Sequence, residues 1–196
     1  MKIVLATKNP GKLKELQKLA GEQGQFEFIL APDDFDPIED GDTFEANAII
    51  KASEAAKMTG LYAIADDSGI AVDFLDGAPG IYSARYCAGD DRDRRLKLLE
   101  AMKEVSDENR GGAFVCAMAL CTPSGHTVHT NLKHWRGKIT RSEQGKHGFG
   151  YDSIFFLEEQ GMTSADITAE EKNLISHRGQ AFREMLTFML QNLKEI

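Results

Sequence analysis

Positive charge is in short supply in this chain. Lys and Arg total 23 against 31 Asp and Glu in 196 residues, a formal net charge of −8. A general nucleic-acid surface calls for a basic face, so that class is set aside. Any polyanion would have to be held locally, by clustered cations and a divalent metal. Cysteine is scarce too. Cys87, Cys116 and Cys121 form no Cys-x-x-Cys pair, which indicates reduced thiols and gives no sign of a disulfide framework or a zinc site. Cys116 and Cys121 read as small buried packing residues. No apolar run approaches the ~20 residues of a bilayer span. The N-terminal run is too short for a signal-peptide core, so the expectation is a cytoplasmic protein without membrane contact. Internal repeats, low-complexity tracts and linkers are absent, as are the Gly-x-x-x-x-Gly-Lys-Ser/Thr and Gly-x-Gly-x-x-Gly loops and any defensible Ser/His/Asp order.

What remains suits one folded domain over residues 1–196, with room for two lobes: 42% apolar and 28% charged is ordinary globular composition. A first helix is expected from Gly11 to Gln23, then a strand at Phe26–Leu30 and an acidic loop from Pro32 to Asp42. Asp42, with Glu45 three residues on, reads as the capping box of a second helix that Gly60 closes. Tyr62–Ala65 reads as a strand, Ile70–Phe74 as a separate extended piece, and Gly77 to Asp90 as a Gly/Pro-rich loop. Arg92–Val105 follows helical spacing. Ala113–Cys121 and Thr127–Trp135 flank Thr122-Pro123-Ser124-Gly125 as a hairpin. A strand at Ile154–Leu157 follows, then a second capping box (Thr168, Glu171). Ser176 opens a last helix whose apolar stripe is Phe182, Met185, Leu186, Met189 and Leu193. Interleaved helices and strands with one hairpin make the class α/β with a mixed sheet.

Chemistry is concentrated in a few segments. Ile3-Val4-Leu5-Ala6 breaks through Thr7-Lys8-Asn9-Pro10-Gly11-Lys12 into a helix, which aims backbone N–H groups and a positive dipole end at one point. An anion cradle and a plain strand–turn–helix with solvated lysines are both open readings of it. Asp66-Asp67-Ser68-Gly69 leaves an apolar strand, where adjacent acids point to opposite sides and only one easily faces a cleft. Carboxylates of this kind suit Mg²⁺, though Asp-Ser-Gly is also ordinary turn composition. Glu39-Asp40-Gly41-Asp42 in the acidic loop could lend a second carboxylate or simply be solvated. Asn47 and Lys51 share a helix face with small apolar residues, where the lysine either snorkels or reaches for a phosphate. Phe149-Gly150-Tyr151-Asp152, after Gly145-Lys146-His147-Gly148, offers a stacking face or packs into a core. His177 and Arg178 stand against the helix dipole at the start of the last helix, a conflict expected at functional sites. His126, His129 and His134 read as solvated.

Together, Thr7–Lys12, Thr43–Lys51, Ala65–Gly69, Gly77–Arg85, Phe149–Asp152, Glu171-Lys172 and Ser176–Arg178 resemble, in this order, the inosine triphosphate pyrophosphatase family. The resemblance covers essentially the whole chain. It implies a two-lobed α/β domain around a long mixed sheet with a central active-site cleft, dependence on Mg²⁺ and a homodimer. It implies hydrolysis of ITP, dITP and XTP to the monophosphate and pyrophosphate, clearing deaminated purines from the nucleotide pool. Carried over by position, Thr7, Lys8, Asn9, Pro10, Gly11 and Lys12 bind the triphosphate and Lys51 neutralises it. Glu39 and Asp67 bind the metal, with Asp67 the proton acceptor, although the partition between Asp66 and Asp67 is less firm. Ser68 contacts substrate, and Phe149, Gly150, Tyr151 and Asp152 hold the nucleoside. Lys172, His177 and Arg178 reach the base or phosphate. Arg178, which can only donate, suits the 6-carbonyl of hypoxanthine and xanthine. Two other classes stay open: a related pyrophosphatase for pyrimidine or modified nucleotides, and a nucleotide sensor without turnover.

Overall fold

The computed structural model describes residues 1–21 and 25–193. Its elements in chain order are β1 (Lys2–Leu5), α1 (Pro10–Ala20), β2 (Glu27–Leu30), α2 (Phe44–Thr59), β3 (Tyr62–Val72), α3 (Asp91–Ala101), β4 (Gly111–Cys121), β5 (Thr127–Ile139), β6 (Phe155–Leu157), β7 (Met162–Thr163), α4 (Ala169–Ile175) and α5 (His177–Asn192). Among the described residues the strands hydrogen-bond in the order β2-β1-β3-β4-β5-β6-β7. β1 runs parallel to β2 and β3, whereas β6 is antiparallel to both β5 and β7. The mixed α/β sheet expected from the sequence is therefore present.

The chain divides into two compact units. Unit 1 comprises Met1–Asp67, Cys116–Lys133 and the chain from Arg178 onward; unit 2 comprises Ser68–Val115 and His134–His177. In unit 1, one sheet face carries Ile3, Leu5, Ile64, Met118 and Leu120 against α1 and α5, and the whole predicted stripe (Phe182, Met185, Leu186 and Met189 of α5, with Leu193 just past its end) is buried there. The other face is built almost wholly from alanine. Ala48, Ala52, Ala55 and Ala56 of α2 meet Ala63, Ala65, Ala117 and Ala119 of the strands. Methyl-sized side chains on both surfaces let helix and sheet approach closely, at close-packed density. Unit 2 has its own core of Ile70, Val72, Leu98, Met102, Phe114, Trp135, Ile154 and Phe155.

Several boundaries differ from expectation. α1 begins at Pro10 because Asn9 caps it, its Oδ1 accepting from the Gly11 N–H at 2.8 Å. The helix ends at Ala20; the expected end at Gln23 lies outside the described residues. α2 is capped by Thr43 rather than by Asp42 with Glu45. Thr43 is extended and its hydroxyl accepts from the Ala46 N–H at 3.0 Å, which moves the cap one residue on. Tyr62–Ala65 and Ile70–Phe74 are not separate: β3 runs unbroken through both acids to Val72, and a 3-10 turn takes over at Asp73. The Gly77–Asp90 segment contains a 3-10 helix at Gly80–Arg85. α3 starts at Asp91 with a capping box of Asp90 and Asp93, and ends at Ala101. His129 is not solvated. Its ring stacks on Phe188 at 4.0 Å, since β5 passes under α5 at that point.

Candidate active site

Unit 1 gathers charged side chains around the two acids of β3. The alternation of the strand separates them. Asp66 lies on the α1/α5 face, where Lys12 Nζ donates to Oδ1 at 2.8 Å and Arg178 Nε approaches Oδ2 at 3.4 Å. Asp67 lies on the α2 face, where Lys51 Nζ donates to Oδ1 at 2.8 Å and Asn47 Nδ2 reaches Oδ2 at 3.4 Å. Lys51 Nζ also donates to Glu39 Oε2 at 3.2 Å, so one ammonium bridges the two carboxylates expected to hold a metal. Asn47 is fixed in turn, its Oδ1 accepting from the Gly41 N–H at 2.9 Å, which ties the acidic loop to α2.

Burial sets the electrostatics. Desolvation alone would raise the buried Asp66 carboxyl, but Lys12, Arg178 and Lys51 together hold it well below the usual carboxylate range. Asp67 goes the other way. Burial raises it, Lys51 opposes, and the like charges of Glu39 and Asp66 push it further up. Burial would lower the Lys51 ammonium, yet its acidic neighbours Asp67, Asp66 and Glu39 raise it. One carboxylate is thus a permanent anion that anchors cations. The other is pushed towards its neutral form by burial and by its acidic neighbours.

The N-terminal turn lies in the same unit. Lys8, Asn9 and Pro10 are exposed. Thr7 Oγ1 accepts from the Asn9 N–H at 3.2 Å, a bond that closes the turn leading into α1. Lys12, in the first turn of α1, brings its charge to Asp66. Arg178, in the first turn of α5, meets the same carboxylate, which resolves its conflict with the dipole.

Unit 2 carries the second group. Gly148 and Gly150 both adopt positive φ (78° and 58°), and Phe149 between them is 63% exposed. Asp152, 2% exposed, ties the turn together: Oδ2 accepts from the Phe149 N–H at 2.9 Å and from Lys172 Nζ at 2.5 Å, and Oδ1 from Ser164 Oγ at 2.9 Å. Lys172 Nζ stands 4.9 Å from the Phe149 ring centroid. Tyr151 turns inward, its hydroxyl donating to the Ser83 carbonyl at 2.8 Å, and burial raises its phenol well above the ordinary value. His177 is likewise a buried aromatic, stacked on Phe114 at 5.1 Å. Ser68 is the first residue of this unit and half-buried. A cavity of about 320 Å³ runs beside the turn, lined by Arg95, Glu143, Lys146, His147, Phe149 and Ser153 among others. A larger cavity in unit 2, about 760 Å³ around Asp73, Phe74, Trp135 and Arg136, contains none of the residues expected to act.

The structure therefore brings Thr7–Lys12, Glu39, Lys51, Asp67 and Arg178 into unit 1, and Ser68, Phe149–Asp152, Lys172 and His177 into unit 2. Two contributors were outside the expected site. Asp66 anchors Lys12 and Arg178, and Asn47 braces Asp67; the i, i+4 spacing of Asn47 and Lys51 was the available signal for the latter. A metal fits the donor set of unit 1. Asp67 and Glu39 supply hard oxygen donors, and Mg²⁺ ordinarily takes only one or two carboxylates and completes its shell with water and phosphate oxygens. No group of three or more His, Cys, Asp or Glu side chains placed to hold a metal ion occurs among the described residues.

Comparison with known proteins places these features in a family. The sequence model of the Ham1 family matches residues 3–188. The chain belongs to the Ham1 family. It is similar to the dITP/XTP pyrophosphatase of Pseudomonas aeruginosa, 48% identical over 181 residues that make up 91% of this chain and 92% of that protein. It is also similar to the dITP/XTP pyrophosphatase of Escherichia coli K12, 49% identical over 194 residues, covering 94% and 96% of the two chains. Among solved structures, the HAM1 protein of Coxiella burnetii superposes with a TM-score of 0.89 at 40% identity, covering 97% of this chain and 99% of that one. The Ham1 protein of Staphylococcus aureus gives the same TM-score at 36% identity, with 99% and 100% covered.

Proposed function

We propose that this Ham1-family chain hydrolyses non-canonical purine nucleoside triphosphates (ITP, dITP and XTP) to the monophosphate and pyrophosphate, and so removes deaminated purines before a polymerase can use them. One observation carries the reading: Lys51 bridges Asp67 and Glu39, while Lys12 and Arg178 converge on Asp66. This is a compact arrangement of opposite charges suited to a triphosphate and a divalent cation. The names of the relatives, at nearly half identity over almost the full chain, support the same substrate class.

Phosphoryl chemistry rests mainly on positioning and charge neutralisation. Lys12 and Lys51, with the N-terminus of α1, bind the triphosphate oxygens. Asp66 keeps Lys12 and Arg178 oriented. Asp67, its carboxyl raised by burial, accepts the proton of the attacking water. Water adds at phosphorus, the α–β anhydride bond breaks, and pyrophosphate leaves. Mg²⁺, held by Asp67 and Glu39, would supply neutralisation of phosphate charge and a site that favours deprotonated water. The Phe149 ring receives the base, and Lys172 stands beside it.

A homodimer and a cytoplasmic location belong to the same proposal. The family resemblance supports the homodimer. No helix among the described residues is long and apolar enough to cross a membrane. Light scattering and cell fractionation check them. The reaction itself is tested by chromatography of the products from ITP and Mg²⁺. IMP with intact pyrophosphate is expected; stepwise formation of IDP and free phosphate would overturn the assignment.

A further inference from the structure

The turn that exposes Phe149 is gripped from outside. Asp91 and Arg95 stand at i and i+4 on α3 and so share one helix face. Asp91 Oδ2 accepts from the Gly150 N–H at 2.8 Å, and Arg95 Nη1 donates to the Gly150 carbonyl at 2.7 Å. One glycine is thus held at both of its backbone polar groups by opposite charges. The grip is itself braced: Arg95 Nε donates to Glu143 Oε1 at 2.5 Å, and Arg94 Nη2 to Asp91 Oδ1 at 2.7 Å. The Arg95 side chain is only 16% exposed.

Such a grip needs explaining because the segment it holds is unsuited to order. Gly145, Gly148 and Gly150 all take positive φ, and glycine gives up more conformational freedom on folding than any other residue. The ring so displayed is largely exposed and adds little to the core. Charge-assisted bonds spent on an exposed aromatic make sense where a binding face must be ready before its ligand arrives. Arg95 and Phe149 also line the same cavity.

We propose that Asp91 and Arg95 are positioning residues for nucleoside binding: they fix the Gly150 peptide and thereby set the Phe149 ring in its receiving orientation. The inference rests on the reading that this turn holds the nucleoside. Asp91 sits in the first turn of α3, where its charge also favours the helix, so Arg95 is the cleaner probe.

The test is a double-mutant cycle on KM for ITP, using Arg95→Ala, Phe149→Ala and the combination. Arg95→Ala should raise KM by ~3- to 10-fold, the scale of ordering one side chain at a binding surface, with kcat nearly unchanged. The double variant should be no worse than Phe149→Ala alone, because Arg95 acts through that ring. Competition by inorganic triphosphate should stay at the wild-type level throughout. Arg95→Lys keeps a charge for Glu143 but loses the fixed fork, so it carries the same test with a smaller shift should Arg95→Ala fail to fold. If Phe149→Ala raises KM and the Arg95 variants do not, or if the two effects simply multiply, the positioning role is overturned while the nucleoside reading stands. Should Phe149→Ala leave KM unchanged while ITP is still hydrolysed, the assignment of the turn fails and the positioning role falls with it.

Discussion

The charged cluster of unit 1 and the aromatic turn of unit 2 are built on opposite plans. In unit 1 the functional groups are side chains set on rigid elements: Asp66 and Asp67 on β3, Asn47 and Lys51 on α2, Lys12 on α1 and Arg178 on α5. They hold one another by charge, each acid facing a cation. In unit 2 a flexible backbone is the thing held. Asp152 and Lys172 tie the turn from within, and Asp91 and Arg95 clamp it from α3. The contrast teaches that removing a charge should have different consequences in the two places. In unit 1 it alters chemistry; in unit 2 it alters geometry.

The same chemical change in both units sharpens this contrast most. Asp67→Asn removes the proton acceptor and should lower kcat by at least ~10²-fold, the scale of a lost general base, with melting temperature little affected. Asp152→Asn keeps the shape but weakens the ion pair with Lys172, and should raise KM for ITP and lower Tm while preserving most of kcat. Steady-state kinetics and thermal melts on the pair decide it. Equal losses of kcat in both variants would break the distinction.

A smaller effect probes how the unit 1 cluster is positioned. Ala52 is fully buried where α2 meets the sheet, and it stands next to Lys51. Ala52→Leu should destabilise by about 1–3 kcal/mol through overpacking. It should also lower kcat, because α2 can no longer bring Lys51 to Asp67. Urea unfolding together with kinetics tests both halves, and normal kcat in a destabilised variant would separate packing from catalysis. The smallest expected change concerns Arg178. Its place beside Lys12 on Asp66 puts it with the groups assigned to phosphate. Arg178→Ala should therefore lower kcat/KM for ITP and ATP together and leave their ratio unchanged. A narrowed ratio would restore Arg178 to the reading of the 6-carbonyl.

Much of this was legible in the residues. The apolar stripe of the last helix, the Thr168 and Glu171 box and the shared face of Asn47 and Lys51 all follow from spacing, which local geometry obeys directly. The alternation of a strand likewise foretold that Asp66 and Asp67 would part company. It could not tell that both would be engaged, because their partners come from helices distant in sequence. The cap of α2 went one residue astray since Asp42, Thr43 and Glu45 are all competent capping residues, and only the backbone angle at Thr43 selects among them. Arg95 is expected only as part of a helix, and Asp91 falls between the expected loop and that helix. Their significance depends on a glycine backbone more than fifty residues away, and backbone partners leave no mark on composition.

The central claim is the division of labour, and crossed competition measures it most directly. Inorganic triphosphate and inosine are each titrated as inhibitors of ITP hydrolysis by Lys51→Ala and by Phe149→Ala. Lys51→Ala should lose affinity for triphosphate and keep it for inosine, and Phe149→Ala should do the reverse. If each variant weakens both probes to the same degree, the charge cluster and the aromatic turn do not serve separate parts of the substrate, and the account is wrong.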